Sequence, residues 1–271
     1  DDEQVFYLSR ILLGILGEAE LTYKQQMLLL KKIRSIVALD HLGNAVVAFL
    51  KNRTEKELVG QKAEAVDELL NCFDYALTWA GEVPFKKDPA RCWTEGVINH
   101  PIRDILIGLL QTLSNQGNNG KYVIAVTKRL TSLLDSDSEI AQIAEVICAS
   151  QVKFLVATVP DWTVNKVIPL FDWGNSIEKA ERAWDGFLFG GRFSRKLIAP
   201  MLRHLIASVD FIGRIDENRY CEFLAWLSMS RLIEKPLEGN SLKTVILKLN
   251  ETQRETYFSH IRLGEIRDKD Y

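Results

Sequence analysis

The sequence predicts an all-α protein, an irregular α-solenoid or helical-repeat array of roughly a dozen helices. Three observations carry that prediction. Apolar residues recur at helical spacing through almost every segment. Capping signatures, a Ser, Thr or Asn followed three residues later by Glu or Gln, precede most of those stripes. No pair of strand-like runs is convincing anywhere in the chain.

The elements follow in order. Val5, Leu8, Ile11, Leu12 and Ile15 form a first stripe, closed by Gly17. Thr22 with Gln25 opens a second over Leu28, Leu29, Ile33, Ile36 and Val37. A third runs over 42–52 through Val46, Val47, Phe49 and Leu50. Thr54 and Glu57 cap a longer helix with Val66, Leu69, Leu70, Phe73 and Leu77 on its inner face. The pattern lapses over 80–90, AGEVPFKKDPA, where a loop and a possible subdivision of the chain are expected.

Helix resumes over 91–99, and Pro101 suits the first turn of the next, where its missing N–H costs nothing. Ile105, Leu106, Leu109, Leu110 and Leu113 follow it before the connector SNQGNNG. Tyr122 to Leu134 opens like a strand, YVIAV, but Val126, Leu130, Leu133 and Leu134 favour helix. Ser136 and Glu139 cap the stripe Ile140, Ile143, Ala144 and Ile147, continuing to Leu155. Pro160, Pro169 and the phrases DWT and DWG mark irregular structure.

A central αα-hairpin spans Asn175 to Asp210. Asn175 with Glu178 reads as its N-cap. Ile177, Ala180, Trp184, Phe187 and Leu188 share a face, and Gly190 and Gly191 end the helix at positive φ. The second helix carries Leu197, Ile198, Met201, Leu202, Leu205, Ile206 and Val209. Asp216 then starts a helix through Tyr220, Phe223, Leu224 and Leu227, which PLEGNS breaks. Ser241 to Leu249 is short, Thr252 with Glu255 caps the last helix, and the tail IRDKDY frays. Helix pairs recur about every 40 residues without a shared consensus, so the 271 residues read as one continuous helical-repeat region, expected to be a piece of a longer chain.

Composition narrows the function. A net charge of −2 argues against a general phosphate grip, so nucleic acid is a disfavoured partner. No uninterrupted apolar run is long enough to span a membrane. Cys72, Cys92, Cys148 and Cys221 form no CxxC and no zinc spacing, and read as reduced core thiols in a cytoplasmic protein.

Candidate sites have modest chemistry. His100 is a proton donor in one reading and a capping residue in the other, which is expected because no carboxylate lies near it in sequence. His204 interrupts an apolar helix, and His41 and His260 lack metal spacing. Glu178 with Glu181, and Asp216 with Glu217, read as solvated helix faces. Trp162 and Trp173 read as core plugs. The turn GGRFSRK places Arg192, Arg195 and Lys196 at a helix start, where an anion or a partner's acidic surface can be held. These three are the expected partner-binding residues. No cofactor and no metal are expected.

Two phrases, WTEGVINHPIRDILIGLLQTL over 93–113 and AERAWDGFLFGGRFSRKLIAPMLRHL over 180–205, resemble the helical C-terminal region of bacterial sirtuin-like antiphage defence proteins. The resemblance covers about 93–212. It implies a helical part that follows an NAD-consuming domain and senses phage proteins or mediates assembly. The glycine-rich dinucleotide loop of the catalytic domain is missing here, so nothing catalytic carries over.

The expected function is therefore a non-catalytic binding and regulatory module, contacting a protein partner, phage-encoded or a second copy of itself. Two alternatives stand beside it: an all-α enzyme whose acid residues converge only in three dimensions, and a nucleic-acid-binding helical repeat.

Overall fold

A computed structural model describes residues 63–85, 92–115, 120–191, 193–230 and 236–269, with the isolated positions 25, 28 and 31. The described residues form twelve α-helices and no strand. The expected helices over 5–17, 22–37 and 42–52 lie outside them, apart from Gln25, Leu28 and Lys31, which are helical and exposed. The caps Thr54 and Glu57 and the residue Arg192 also lie outside them.

Two compact units divide the chain: Asp1–Lys87 with Gly96–Ala144, and Asp88–Glu95 with Glu145–Tyr271. In the first, α1 (Ala63–Ala80) packs on α3 (Pro101–Asn115), and α3 on α4 (Gly120–Leu134). The short α2 (Trp93–Ile98), which crosses the division, precedes α3. Leu69, Leu70, Phe73 and Leu77 of α1 are buried, as their spacing predicts. So are Ile105, Leu106, Leu109, Leu110 and Leu113 of α3, and Pro101 is its first residue. YVIAV is helical; Val126, Leu130 and Leu134 turn inward. Arg129 on α4 grips Asp74 on α1 with two guanidinium contacts at 2.8 Å.

The second unit holds the hairpin. Helix α5 (Glu139–Ser150) crosses the division, and α6 (Val152–Thr158) leaves it at 75°. Ser138, not Ser136, caps α5: its Oγ accepts the Ala141 N–H at 3.2 Å, because it stands next to the first helical residue. The DWT–DWG stretch is less irregular than its prolines suggest. It winds through α7 (Pro160–Trp162), a π turn (Thr163–Val167) and a 3-10 turn (Ile168–Phe171), with each proline at a turn start where no N–H is missed.

Helix α8 (Ile177–Gly190) is capped by Ser176, one residue after the expected Asn175; its Oγ accepts the Lys179 N–H at 3.3 Å. Gly191 ends the helix with φ −70, so the expected positive φ is absent. Its reason is space: a Cβ there would run into the Phe187 ring and lie 2.7 Å from the Phe187 carbonyl. Gly186 plays the same part against α5, where a Cβ would collide with the Val146 backbone. Helix α9 (Arg195–Ser208) buries Leu197, Ile198, Met201 and Leu205.

Asp216 caps α10 (Glu217–Met229), accepting the Arg219 N–H at 3.0 Å. PLEGNS, expected to be a break between helices, opens α11 (Pro236–Lys248), since Pro is well suited to a first turn. Helix α12 (Glu251–Lys269) is boxed by Asn250 and Gln253, whose side chains accept each other's backbone N–H at 2.9 and 3.0 Å; the expected Thr252 and Glu255 lie inside it. Most of the tail belongs to this helix. Helix α10 packs on α12, and α9 on α6 and α11. Among the described residues, no single helix is long and apolar enough to cross a membrane.

Candidate functional site

The second unit's core is a file of aromatic rings. Phe171 meets Trp184 edge to face at 5.3 Å, Trp184 meets Phe187 at 5.8 Å, and Phe187 meets Phe223 at 5.2 Å. Phe193 closes on both Phe187 and Phe223, at 5.4 and 5.2 Å. Edge-to-face pairs set the positive rim of one ring against the negative face of the next, which fixes their orientation. Trp184 and Phe187 are fully buried, as their shared helical face predicts.

The file does not stop in the core. Phe223 stacks on Trp226 at 6.3 Å, and Trp226 is 38% exposed. Across from it the last turn of α8 presents Phe189, 46% exposed. Between these rings lies a groove of about 400 Å³. Phe187 and Phe223 are among its lining; Leu188, Gly190 and Gly191 form one wall, and Arg219 and Glu222 stand on the α10 side. The Arg219 guanidinium lies 4.9 Å from the centre of the Phe189 ring and pairs with Asp216 at 3.3 Å. Met229, 43% exposed, extends the outward face of α10 one turn beyond Trp226.

A second cluster carries charge inside. Arg182 and Asp185, on the middle of α8, are buried. Arg182 pairs with the buried Glu145 of α5, which Lys179 also reaches at 3.4 Å, and lies 5.2 Å from the centre of the Trp93 ring. Asp185 accepts the Thr94 backbone N–H at 2.8 Å. Burial raises the Asp185 carboxyl above the ordinary range, and the bonds from Thr94 oppose that only in part. Burial, helped by Glu145, pushes the Cys148 thiol up to about 12, so it is an inert thiol. Arg182 and Asp185 are answered by Glu145 and by the Thr94 N–H. They hold helices together.

The expected candidates are placed as follows. Arg195 and Lys196 are exposed on the first turn of α9, two and three residues after Phe193; Arg192 is outside the described residues. The N-cap of α9, Ser194, makes no side-chain capping bond. His100 is a capping residue: its Nδ1 accepts the Ile102 N–H at 3.3 Å, so the proton sits on Nε2, which donates to the Val83 carbonyl at 3.1 Å. His204 is buried, receives the Arg203 Nε–H at 3.1 Å, and is held below its usual range by burial and by Arg203. Trp173 is a core plug stacked on Phe211 at 4.5 Å. Cys72, Cys148 and Cys221 are buried thiols, while Cys92 is half-buried, 3.2 Å from the Thr94 hydroxyl. Among the described residues no group of three or more His, Cys, Asp or Glu is arranged to hold a metal ion.

Sequence reasoning passed over Phe189, Arg219 and Trp226. A signal was present. Arg219, Glu222, Trp226 and Met229 share a stripe that turns away from Tyr220, Leu224 and Leu227, so two large apolar side chains fall on the outer face of an amphipathic helix. No family model, no curated protein and no solved structure matches this chain.

Proposed function

We propose that this chain is a protein-binding and regulatory module of a bacterial, cytoplasmic antiphage defence system, in which a stack of helices presents a surface to a phage component or to another part of the assembly. One observation supports the reading above the rest. Phe189 and Trp226 stand exposed around a preformed groove, with Met229 exposed one turn further along α10, while the rings behind them are locked. Clustered exposed apolar side chains mark interaction sites, and aromatic residues, Met and Arg are the types enriched there. The described groove lining offers one guanidinium and one carboxylate, with no hydroxyl, thiol or imidazole, so it favours recognition by shape over bond-making. The defence setting comes from the phrases over 93–113 and 180–205; the second includes the groove's α8 wall.

The test is capture from phage-infected cells by the wild-type chain beside a Phe189→Ala, Trp226→Ala double variant. The expected result is a phage protein that the wild type retains, that rebinds the purified chain directly, and that the variant binds about tenfold or more weakly. Equal retention by both chains, or no direct rebinding, sinks the reading.

A further inference from the structure

We propose that the groove takes an acidic segment of a partner protein that carries one bulky apolar side chain, with the apolar group seated between Phe189 and Trp226 and the carboxylates over Arg195 and Lys196. The inference rests on the reading of the chain as a binding module and adds what it binds.

Charge distribution points to the acidic partner. The whole chain is slightly negative, yet no Asp or Glu occurs between Asp185 and Asp210. Within that interval lie Arg192, Arg195, Lys196 and Arg203. An acid-free run of this length in a chain with 36 acidic residues concentrates positive potential on one segment. That segment is the one that closes the groove: Gly190 and Gly191 line it, and the Phe193 ring packs on the lining residues Phe187 and Phe223. Arg195 follows Phe193 by two residues, so its Cα lies within about 8 Å of the Phe193 Cα. Arg195 and Lys196 are both exposed there. Arg219, over Phe189 at the opposite wall, is paired with Asp216, so the unbalanced positive charge lies on the α9 side.

The apolar anchor follows from the groove itself. Its volume lies within the range of about 300–1,000 Å³ typical of ligand pockets, enough for one large side chain of a segment. Its rings are fixed by their neighbours, so seating an anchor orders little that is not ordered already. Glu222 decides between two kinds of polyanion. A nucleic acid brings a phosphate with every base it stacks, and Glu222 in the lining opposes the one beside a base seated in the groove. A peptide can place its carboxylates beyond the anchor, clear of Glu222.

Fluorescence anisotropy with short labelled peptides tests this on the whole chain. The probes are an Asp/Glu-rich peptide with one central Trp, the same peptide with Ala for Trp, a Lys-rich peptide with the Trp, and a single-stranded oligonucleotide of similar length. The acidic Trp peptide should bind about tenfold or more tightly than the other three. Its affinity should fall as salt rises from about 0.1 to about 0.5 M. Arg195→Glu with Lys196→Glu should weaken it about tenfold at a nearly unchanged melting temperature, while Glu222→Gln should leave it within about twofold and strengthen the oligonucleotide a few-fold. Equal binding of the Lys-rich peptide, tighter binding of the oligonucleotide, or indifference to the charge reversal overturns the proposal. If the chain captures and rebinds a phage protein through the groove yet ignores the acidic Trp peptide, this inference falls and the binding-module reading stands; if it does neither, both fall.

Discussion

The middle of α8 and its last turn place their side chains in opposite ways. From Arg182 to Phe187 every residue is buried, and two of the six carry charge. Two residues further on, Phe189 holds a large ring in solvent. A charge inside and an aromatic outside are the informative departures from ordinary burial. They differ in what answers them. Arg182 and Asp185 have partners within hydrogen-bond reach, from Glu145 and Thr94, so the buried charge is consumed in holding helices together. Phe189 meets the Arg219 guanidinium, and the groove beside it is open space lined by aromatic rings. One region is closed by its chemistry and the other is left open by it.

The strongest way to break that contrast is to remove an answering charge. Arg182→Met leaves Glu145 buried with only Lys179 in reach at 3.4 Å. Stranding a buried carboxylate in this way costs about 3–5 kcal/mol, with Lys179 recovering part of it. Urea melts should show this loss, and Glu145→Leu added to Arg182→Met should restore most of it, since an apolar pair of similar volume is often as stable. A single variant that melts like the wild type would mean that the charges are hydrated and that the middle of α8 is not closed. Trp184→Ala, in the same segment, should cost about 3–5 kcal/mol through the cavity it opens.

Trp184 and Phe187 were legible in the sequence because periodicity reports burial directly, and each lies where the apolar stripe of α8 places it. Arg182 and Asp185 were not. A charged residue between apolar ones reads as the solvated face of a helix, and the groups that reverse that reading lie 37 and 91 residues away. Caps were legible to within one or two residues. Asn175 lost to Ser176, and Thr252 to Asn250, because adjacent polar residues compete for the same free amides and the winner depends on where the chain enters the helix. The groove was not legible. Arg195 and Lys196 could be placed at the turn beside it, but its walls come from α8 and α10, and no local pattern announces which two helices meet.

A smaller effect separates the two buried charges of α8. Asp185 has no cation answering it as directly as Arg182 answers Glu145, and burial raises its carboxyl above the ordinary Asp range. Its folded pKa therefore exceeds its unfolded one, and the folded state holds the proton more tightly. Stability from this group is greatest below the unfolded value, near 4, and declines as pH rises through the raised folded value. Asp185→Asn keeps an oxygen for the Thr94 N–H and removes the titration. The urea midpoint of the wild type relative to the variant should rise on acidification through that window. A wild-type-minus-variant difference that is flat with pH would place Asp185 in contact with water.

The smallest stability effects belong at the open end. Phe189→Ala and Trp226→Ala remove rings that solvent already reaches, and each should change stability by no more than about 1 kcal/mol, including the cation–π contact that Phe189 gives Arg219. Arg195→Glu with Lys196→Glu should cost no more than about 1 kcal/mol, because both side chains are exposed and exposed ionic contacts contribute little. These variants sharpen the contrast through what they leave alone. Trp184 and Trp226 are joined through Phe187 and Phe223 in one file of rings, so the same truncation at its two ends compares a tryptophan that fills the core with one that faces the groove. A loss at Trp226 as large as the loss at Trp184 would make the outer ring a structural member. The groove would then be a gap in a surface that α10 needs for folding, and its exposed aromatics would no longer point to a partner.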